Sequence, residues 1–423
     1  SKYAFAGCKS LKEVNLPGTI TAVSDYAFDD CVSLANLTMP GVVTIGIYSF
    51  RNTAIENLVL GSNVTTIEKN AFENSKIKNI SFNAKLEKIG NYAFQNTLLK
   101  AVNITASITS IGSYAFCNNY DLASVTFAEN GSLTSIGSSA FKATAISSVE
   151  IPSMVNTLGS SAFENCENLT NVVFKGNAIS TIDTSTFANT AIQSIVIPDS
   201  VTVIKSGAFQ NCTELTEIKL SSNLKTLATI ASSATTANKG SVFEGCTSLE
   251  SIDLPESLTY MGTFTFRNSG LKRITIPANV KFLTVKEALP SAISSSTGTY
   301  FQDGSKDLPT MSENYFAGQF ADCSELEEVI LPTNLQAIGA GVFYNTPKLK
   351  TLKYTGYTGD ENILPATVTE LGGYAFLNCG LESLTASGLK SVYKNAFSGS
   401  DLKVIDLSNS PLSAIDIFVF RNT

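Results

Sequence analysis

Chemistry in a protein needs groups that ionise or ligate near neutral pH, and in this 423-residue chain the supply is narrow. There are eight cysteines and no histidine. Without imidazole, a Ser-His-Asp or Cys-His nucleophile pair, a histidine general base and every histidine-ligated metal site are excluded. No C-x-x-C spacing occurs, so no metal and no cofactor is expected. Carboxylates remain. Glu327/Glu328 and Asp360/Glu361 are adjacent pairs, and two suitably spaced carboxylates suffice to hydrolyse a glycoside. Neighbours on a strand point to opposite faces, however, and the loop pair reads as solvated. No P-loop, dinucleotide or calcium-loop pattern is found. The chain is therefore read as not an enzyme, with no catalytic residues.

Charge narrows the partners. With 29 basic and 36 acidic side chains the net charge is −7, and charged residues make up 15%, where about 25% is ordinary. An acidic chain without Lys/Arg clusters is not expected to bind nucleic acid. No run of about 18 apolar residues is present, so no membrane span is expected. Ser1 and Thr423 each cut a repeat around its phenylalanine. The natural protein is thus expected to extend in at least one direction.

The elements that must position any site come from a repeat. Phe5, Phe28, Phe50, Phe72, Phe94, Phe116, Phe141, Phe163, Phe187, Phe209, Phe243, Phe266, Phe320, Phe343, Phe376, Phe397 and Phe420 form a ladder that takes 17 of the 25 phenylalanines, mostly 21 to 25 residues apart. Aligned on it, each unit reads L-x-x-[IV]-x-[LIF]-P, then [VIL]-x-x-[ILVM]-G, then x-x-A-F-x-N-[CTS]. The first segment alternates, as in Val14-Asn15-Leu16, which predicts a short strand with one buried face. Proline ends it in seven repeats, since a residue without an N–H stops a ladder. The second segment places its last apolar residue five before the ladder Phe in fourteen of sixteen repeats. That constancy predicts a fixed corner, read as one helical turn.

Two residues after the Phe stands Asn in eleven repeats, Gly in three, Asp in two and Ala at Ala143. These residue types tolerate a left-handed backbone, so the position is predicted to be the cap of that turn rather than a ligand contact. Three residues after the Phe stands Cys8, Cys31, Cys166, Cys212, Cys246, Cys323 or Cys379, and in other repeats Thr53, Ser75, Thr97, Thr144, Thr190, Ser269, Thr346 or Ser400. A position shared by Cys, Thr and Ser reads as a small buried slot with free thiols. Only Cys8/Cys31 and Cys212/Cys246 fall in adjacent coils where a bridge could form. Cys coils mostly start the next strand three residues on and Thr or Ser coils two on, implying two loop geometries. Tyr3, Tyr26, Tyr48, Tyr92, Tyr114 and Tyr374 precede the ladder Phe by two and are read as packing groups.

A unit this small cannot bury its own apolar face, so the units must stack into a solenoid. The run from Ile20 to Pro40, repeated as Ile204-Lys-Ser-Gly-Ala208-Phe209-Gln-Asn-Cys212-Thr-Glu-Leu215-Thr-Glu-Ile218-Lys-Leu220, resembles the BspA-like (Treponema-type) leucine-rich repeat. The resemblance covers essentially the whole chain. It implies a right-handed superhelix of short strands, about 16 coils of 22–23 residues, forming a single domain over 1–423. It also implies a secreted or cell-surface protein of the kind found in host-associated bacteria and some protozoa, several of which are adhesins.

Insertions into a solenoid become surface loops, and three interrupt this one, at about 228–239, 284–319 and 355–365. Exposed aromatics anchor interfaces well, so Tyr300, Phe301, Tyr315, Phe316 and Tyr357 are the candidate partner-binding residues. The alternative is that these rings fold back over the local core. Outward strand positions run Glu13, Asn15, Asn36, Thr38, Asn57, Val59, Asn79, Ser81, Asn103, Thr126 and Ser148, becoming more charged with Glu217, Lys219, Asp253, Arg273, Glu328 and Lys353. They form a competing contact face. The expected function is an extracellular or cell-surface binding or adhesion module that recognises a protein or glycan partner, such as one derived from a host, through the solenoid face and insertion loops and acts as a monomer. The alternative is a passive stalk that displays another domain.

Overall fold

Most coils lay down two short strands, and each has a corner built around its ladder phenylalanine; no strand forms at 251–255 or between Asp406 and Phe420. The structure is a computed structural model that describes residues 1–228, 240–283 and 317–423. Where it forms, the first strand of a coil has three or four residues, as in Asn57–Val59 and Ala101–Ile104, and alternates exposed with buried side chains. The second has two residues, the latter of them buried, as in Thr66–Ile67 and Ser110–Ile111. The strand pairings among the described residues are parallel and join equivalent residues of successive coils, for example Ile45 with Ile67 and Ile67 with Ile89. Each apolar residue therefore lies on its own counterpart one coil away, which makes the buried face continuous.

The chain divides into two compact units, Ser1–Ser200 and Val201–Thr423. In the first, seven two-residue strands from Ala22–Val23 to Thr157–Leu158 form one parallel sheet. In the second, Phe282–Leu283, Ala337–Ile338, Glu370–Leu371 and Ser391–Val392 form another. The ladder rings stack inside each unit. From Phe5 to Phe187 neighbouring centroids are 5.1 to 5.9 Å apart, and from Phe209 to Phe420 they are 5.2 to 5.7 Å apart. Nearly parallel rings at this spacing are offset stacks, worth about 0.5–1.5 kcal/mol per pair beyond their burial. The stack continues across the two long insertions: Phe209–Phe243 is 5.6 Å and Phe266–Phe320 is 5.7 Å.

The corner is not the helical turn predicted from the constant spacing. Among the described residues there is no helix, and overlapping β-turns take its place. In the coil of Phe28, the amides of Ala27, Asp29 and Cys31 donate back to Ser24, Tyr26 and Phe28 at 3.2, 3.3 and 3.3 Å. The alternate amides, of Tyr26, Phe28 and Asp30, donate instead to Ile47, Ser49 and Arg51 of the next coil at 2.8, 2.9 and 3.1 Å. A helix would keep both sets to itself. Here half of them join one coil to the next.

Positive φ interrupts the right-handed path at Tyr26 (57°) and Asp30 (56°), each the third residue of a turn that requires it. The pattern is general: the residue two after every ladder Phe is left-handed in all seventeen coils, Ala143 included at 56°. The residue two before it is left-handed in all seventeen as well, including six tyrosines, Phe264 and Phe418.

Phe163 is fully buried between Phe141 and Phe187. Phe163→Ala is expected to cost about 3–5 kcal/mol by cavity formation, measured by denaturant unfolding. Near-native stability would contradict the ladder. Ala143→Asn, at a position where a non-glycine left-handed residue costs roughly 1–2 kcal/mol, is expected to raise stability by about 1 kcal/mol in the same assay.

Candidate functional site

Burial closes off chemistry at seven of the eight cysteines. All eight are free; Cys8 alone is exposed. The slot solves one hydrogen-bonding problem in two ways. Thr53, Thr97, Thr144 and Thr190 donate their hydroxyls to the ladder Phe carbonyl of their own coil, at 2.9, 3.3, 3.0 and 2.8 Å. Cys31, Cys166, Cys246 and Cys323 donate their thiols to the ladder Phe carbonyl of the preceding coil, at 3.1, 3.1, 3.2 and 2.9 Å. This is the pair of loop geometries that the differing spacing predicts. Burial pushes the Cys166, Cys323 and Cys379 thiols up to about 11, so they stay protonated and unreactive near neutral pH.

The surface that remains open is the outer face of the longer strands. In the first unit Asn79 donates to Asn57 at 2.8 Å, Thr38 to Asn15 at 2.6 Å and Thr126 to Asn103 at 3.1 Å, each one coil apart. These side chains are exposed and held upright by one another. A cleft of about 740 Å³ opens on this face over Ser124, Thr126, Ser148, Glu150, Asn171 and Lys175. In the second unit a smaller depression of about 340 Å³ lies over Asp253, Arg273, Thr275 and Glu328. Sequence reading identified the face but missed the larger cleft. Its signal was present: the coil from Phe116 to Phe141 is 25 residues long, and small side chains replace asparagine at Ala101, Ser124 and Ser148.

Of the five candidate aromatics, Tyr300, Phe301, Tyr315 and Phe316 lie outside the described residues, as do the insertions at 229–239 and 284–316. Tyr357 is described. It is half-buried, with its ring 5.3 Å from Tyr354 at 48°. Burial, followed by the nearby Glu361 carboxylate, pushes its hydroxyl up. The 355–365 insertion does not simply project from the surface. Asn362 is 9% exposed and enters the sheet: its side-chain oxygen accepts from the Leu352 amide at 2.8 Å, and its side-chain nitrogen donates to the Lys350 carbonyl at 3.0 Å. Thr385 N–H then donates to the Asn362 carbonyl, and Ile363 bridges Thr385 in parallel. One side chain thus stands in for a stretch of strand. Asp360 and Glu361 remain exposed.

With the coil's geometry in place, the relatives follow. A family model described as the BspA type leucine rich repeat region matches six times, at residues 1–98, 43–170, 134–239, 228–287, 304–359 and 356–423. The chain belongs to the BspA-type leucine-rich repeat family. No curated protein matches this BspA-type chain significantly. Among solved structures it is similar to a leucine-rich repeat protein from Bacteroides ovatus, at 20% identity and TM-score 0.55, over 97% of this chain and 84% of that one. It is also similar to the pneumococcal vaccine antigen PcpA, at 17% identity and TM-score 0.51, over 95% and 90%. A leucine rich cell surface protein from Faecalibacterium prausnitzii is similar at 23% identity and TM-score 0.42, over 84% and 82%. The likeness to the Bacteroides ovatus and pneumococcal structures, at these identities, shows the fold alone. No helix among the described residues is long and apolar enough to cross a membrane.

Thiol titration with a chromogenic disulfide at pH 8 is expected to label Cys8 rapidly in the native BspA-type protein, and all eight thiols once it is denatured without reductant. Far fewer than eight would reveal a disulfide at one of the two adjacent pairs.

Proposed function

We propose that this BspA-type repeat protein is an extracellular or cell-surface binding module that engages a protein or glycan partner through its strand face and insertion loops, without catalysis. The observation that carries this reading is the strand face itself. Its rows of Asn, Ser and Thr point outward in register and are exposed, so each coil adds another set of hydrogen-bonding groups to one surface. Support for the location comes from the family and from the pneumococcal protein of similar fold, a vaccine antigen. In this reading 1–423 acts as one repeat domain and as a monomer. Tyr300, Phe301, Tyr315, Phe316 and Tyr357 provide the aromatic contacts that a polar face lacks, because aromatics bring large buried area at low entropy cost.

Deleting 284–315 tests the reading against a passive stalk. The deletion is ended at 315, so that Ala317, Gly318 and Gln319 of the Phe320 corner remain and Leu283 again stands five before Phe320; this protein is expected to keep its circular dichroism spectrum and to lose binding to immobilised extracellular-matrix protein and to cultured epithelial cells. No binding by either protein favours the stalk, and unchanged binding assigns the contact to the strand face instead of the insertion.

A further inference from the structure

We propose that the cleft between Ala123 and Lys175 is a binding site for a neutral oligosaccharide. The inference specifies the partner class within the binding-module reading and rests on it.

The cleft is built by two departures from the repeat. Along the first outward position of the strand, the side chains Asn36, Asn57 and Asn79 give way to Ala101, Ser124 and Ser148 before Asn171 restores the asparagine. Three short side chains in succession hollow the face. The coil between Phe116 and Phe141 is also longer than its neighbours, and its additional residues fold into a tight turn over Ala128–Gly131. Gly131 N–H donates to the Ala128 carbonyl at 3.2 Å, with Asn130 left-handed at 56°. Both ends of the turn are tied to the preceding coil, Ala128 N–H to the Ile104 carbonyl and Ser132 N–H to the Ala106 carbonyl, each at 2.9 Å. The wall is therefore held in place before any ligand arrives, which lowers the cost of binding.

The lining selects hydroxyl groups. Ser124, Ser148 and Asn171 line the cleft, are exposed, and their side chains make no hydrogen bond among the described residues. Each both donates and accepts, as a sugar hydroxyl does. Glu150 and Lys175 are paired at 2.9 Å and both exposed, so they present an acceptor beside a donor. A hydroxyl can use both at once with no net charge. An anion would meet Glu129 and Glu150, and a cation would have to displace Lys175. Half-buried Phe127 supplies an apolar patch for the C–H face of a sugar ring.

The volume of about 740 Å³ lies within the 300–1,000 Å³ usual for small-ligand sites. A peptide would instead seek a deep apolar pocket for an aromatic or arginine anchor, and the lining offers none. The smaller depression over Asp253, Arg273 and Glu328 is the charged counterpart and is not part of this site.

An array of neutral gluco-, manno-, xylo- and galacto-oligosaccharides, with sialylated, sulfated and peptide members included, tests the proposal on the whole chain. At least one neutral oligosaccharide is expected to bind. Glu150→Gln and Ser148→Asn should each weaken it at least about tenfold in calorimetry without moving the thermal midpoint. Ser148→Asn introduces the side chain that the next coil carries at Asn171 and earlier coils carry at Asn36, Asn57 and Asn79, so it fills the hollow without disturbing the fold. Binding of only charged glycans or peptides, no binding at all, or affinity untouched by Ser148→Asn overturns the inference. The same preparations are tested on immobilised matrix protein and cells. If those bind while the neutral oligosaccharides do not, the cleft inference falls and the binding-module reading stands. If neither binds, both fall.

Discussion

A chain that reverses direction at the same place in every coil must do so without leaving a buried backbone amide unpaired. Two left-handed residues, four apart and straddling the ladder phenylalanine, meet that constraint. They split the corner amides into two sets: those one before, one after and three after the Phe close turns within the coil, and those two before, at and two after it reach the next coil. The Phe28 amide belongs to the second set, bonding the Ser49 carbonyl at 2.9 Å while its ring stacks on Phe50 at 5.3 Å. Backbone and side chain thus act at the same residue and along the same direction. Losing the ring would loosen the amide ladder, and losing the left-handed residues would turn the ring away from its stack.

The low charge of the chain follows from the same stacking. In a solenoid every repeated position lies beside its own counterpart, so a repeated charge would face itself one coil away, which is destabilising. Where charges do occur at the position after the ladder Phe, they alternate in sign. Asp29 accepts a two-pronged contact from Arg51 at 2.8 Å on each prong, and Lys142 pairs with Glu164 at 2.8 Å. Arg267 lies between Glu244 and Asp322 at 3.5 and 3.4 Å. Asparagine avoids the problem because it can donate to one neighbour and accept from the other, as Asn74 does between Asn52 and Asn96. A surface made of such groups can bind hydroxyl-rich partners with no charge of its own, which connects the repeat's packing rule to the chemistry of its cleft.

Much of this is legible in residue types and spacing. The Asn, Gly and Asp column after the Phe reports its left-handed backbone directly, and the Cys/Thr slot with its two spacings reports two ways of satisfying a Phe carbonyl. The left-handed column before the Phe was hidden by its tyrosines, which rarely adopt that conformation; Asn70, Asn395, Gly207, Gly318 and Gly341 in the same column were the signal. The corner reads as helical because a five-residue spacing fits one helical turn as well as overlapping β-turns, and spacing alone carries no sign of φ. The role of Asn362 was not legible, since a side chain imitating a strand depends on where a loop returns. The cleft is written in the long Phe116–Phe141 coil and in the short side chains at Ala101, Ser124 and Ser148, a signal that shows only when three coils are compared at one position.

Native-state amide hydrogen exchange, resolved by residue, tests the central claim most directly. The account predicts that the amides of the ladder Phe and of the left-handed residues on either side are protected as strongly as the strand amides in the same coils, for instance Tyr48, Phe50 and Asn52 beside Leu58. Corner amides that exchange as fast as solvent-exposed turns, with the strands still protected, would contradict it.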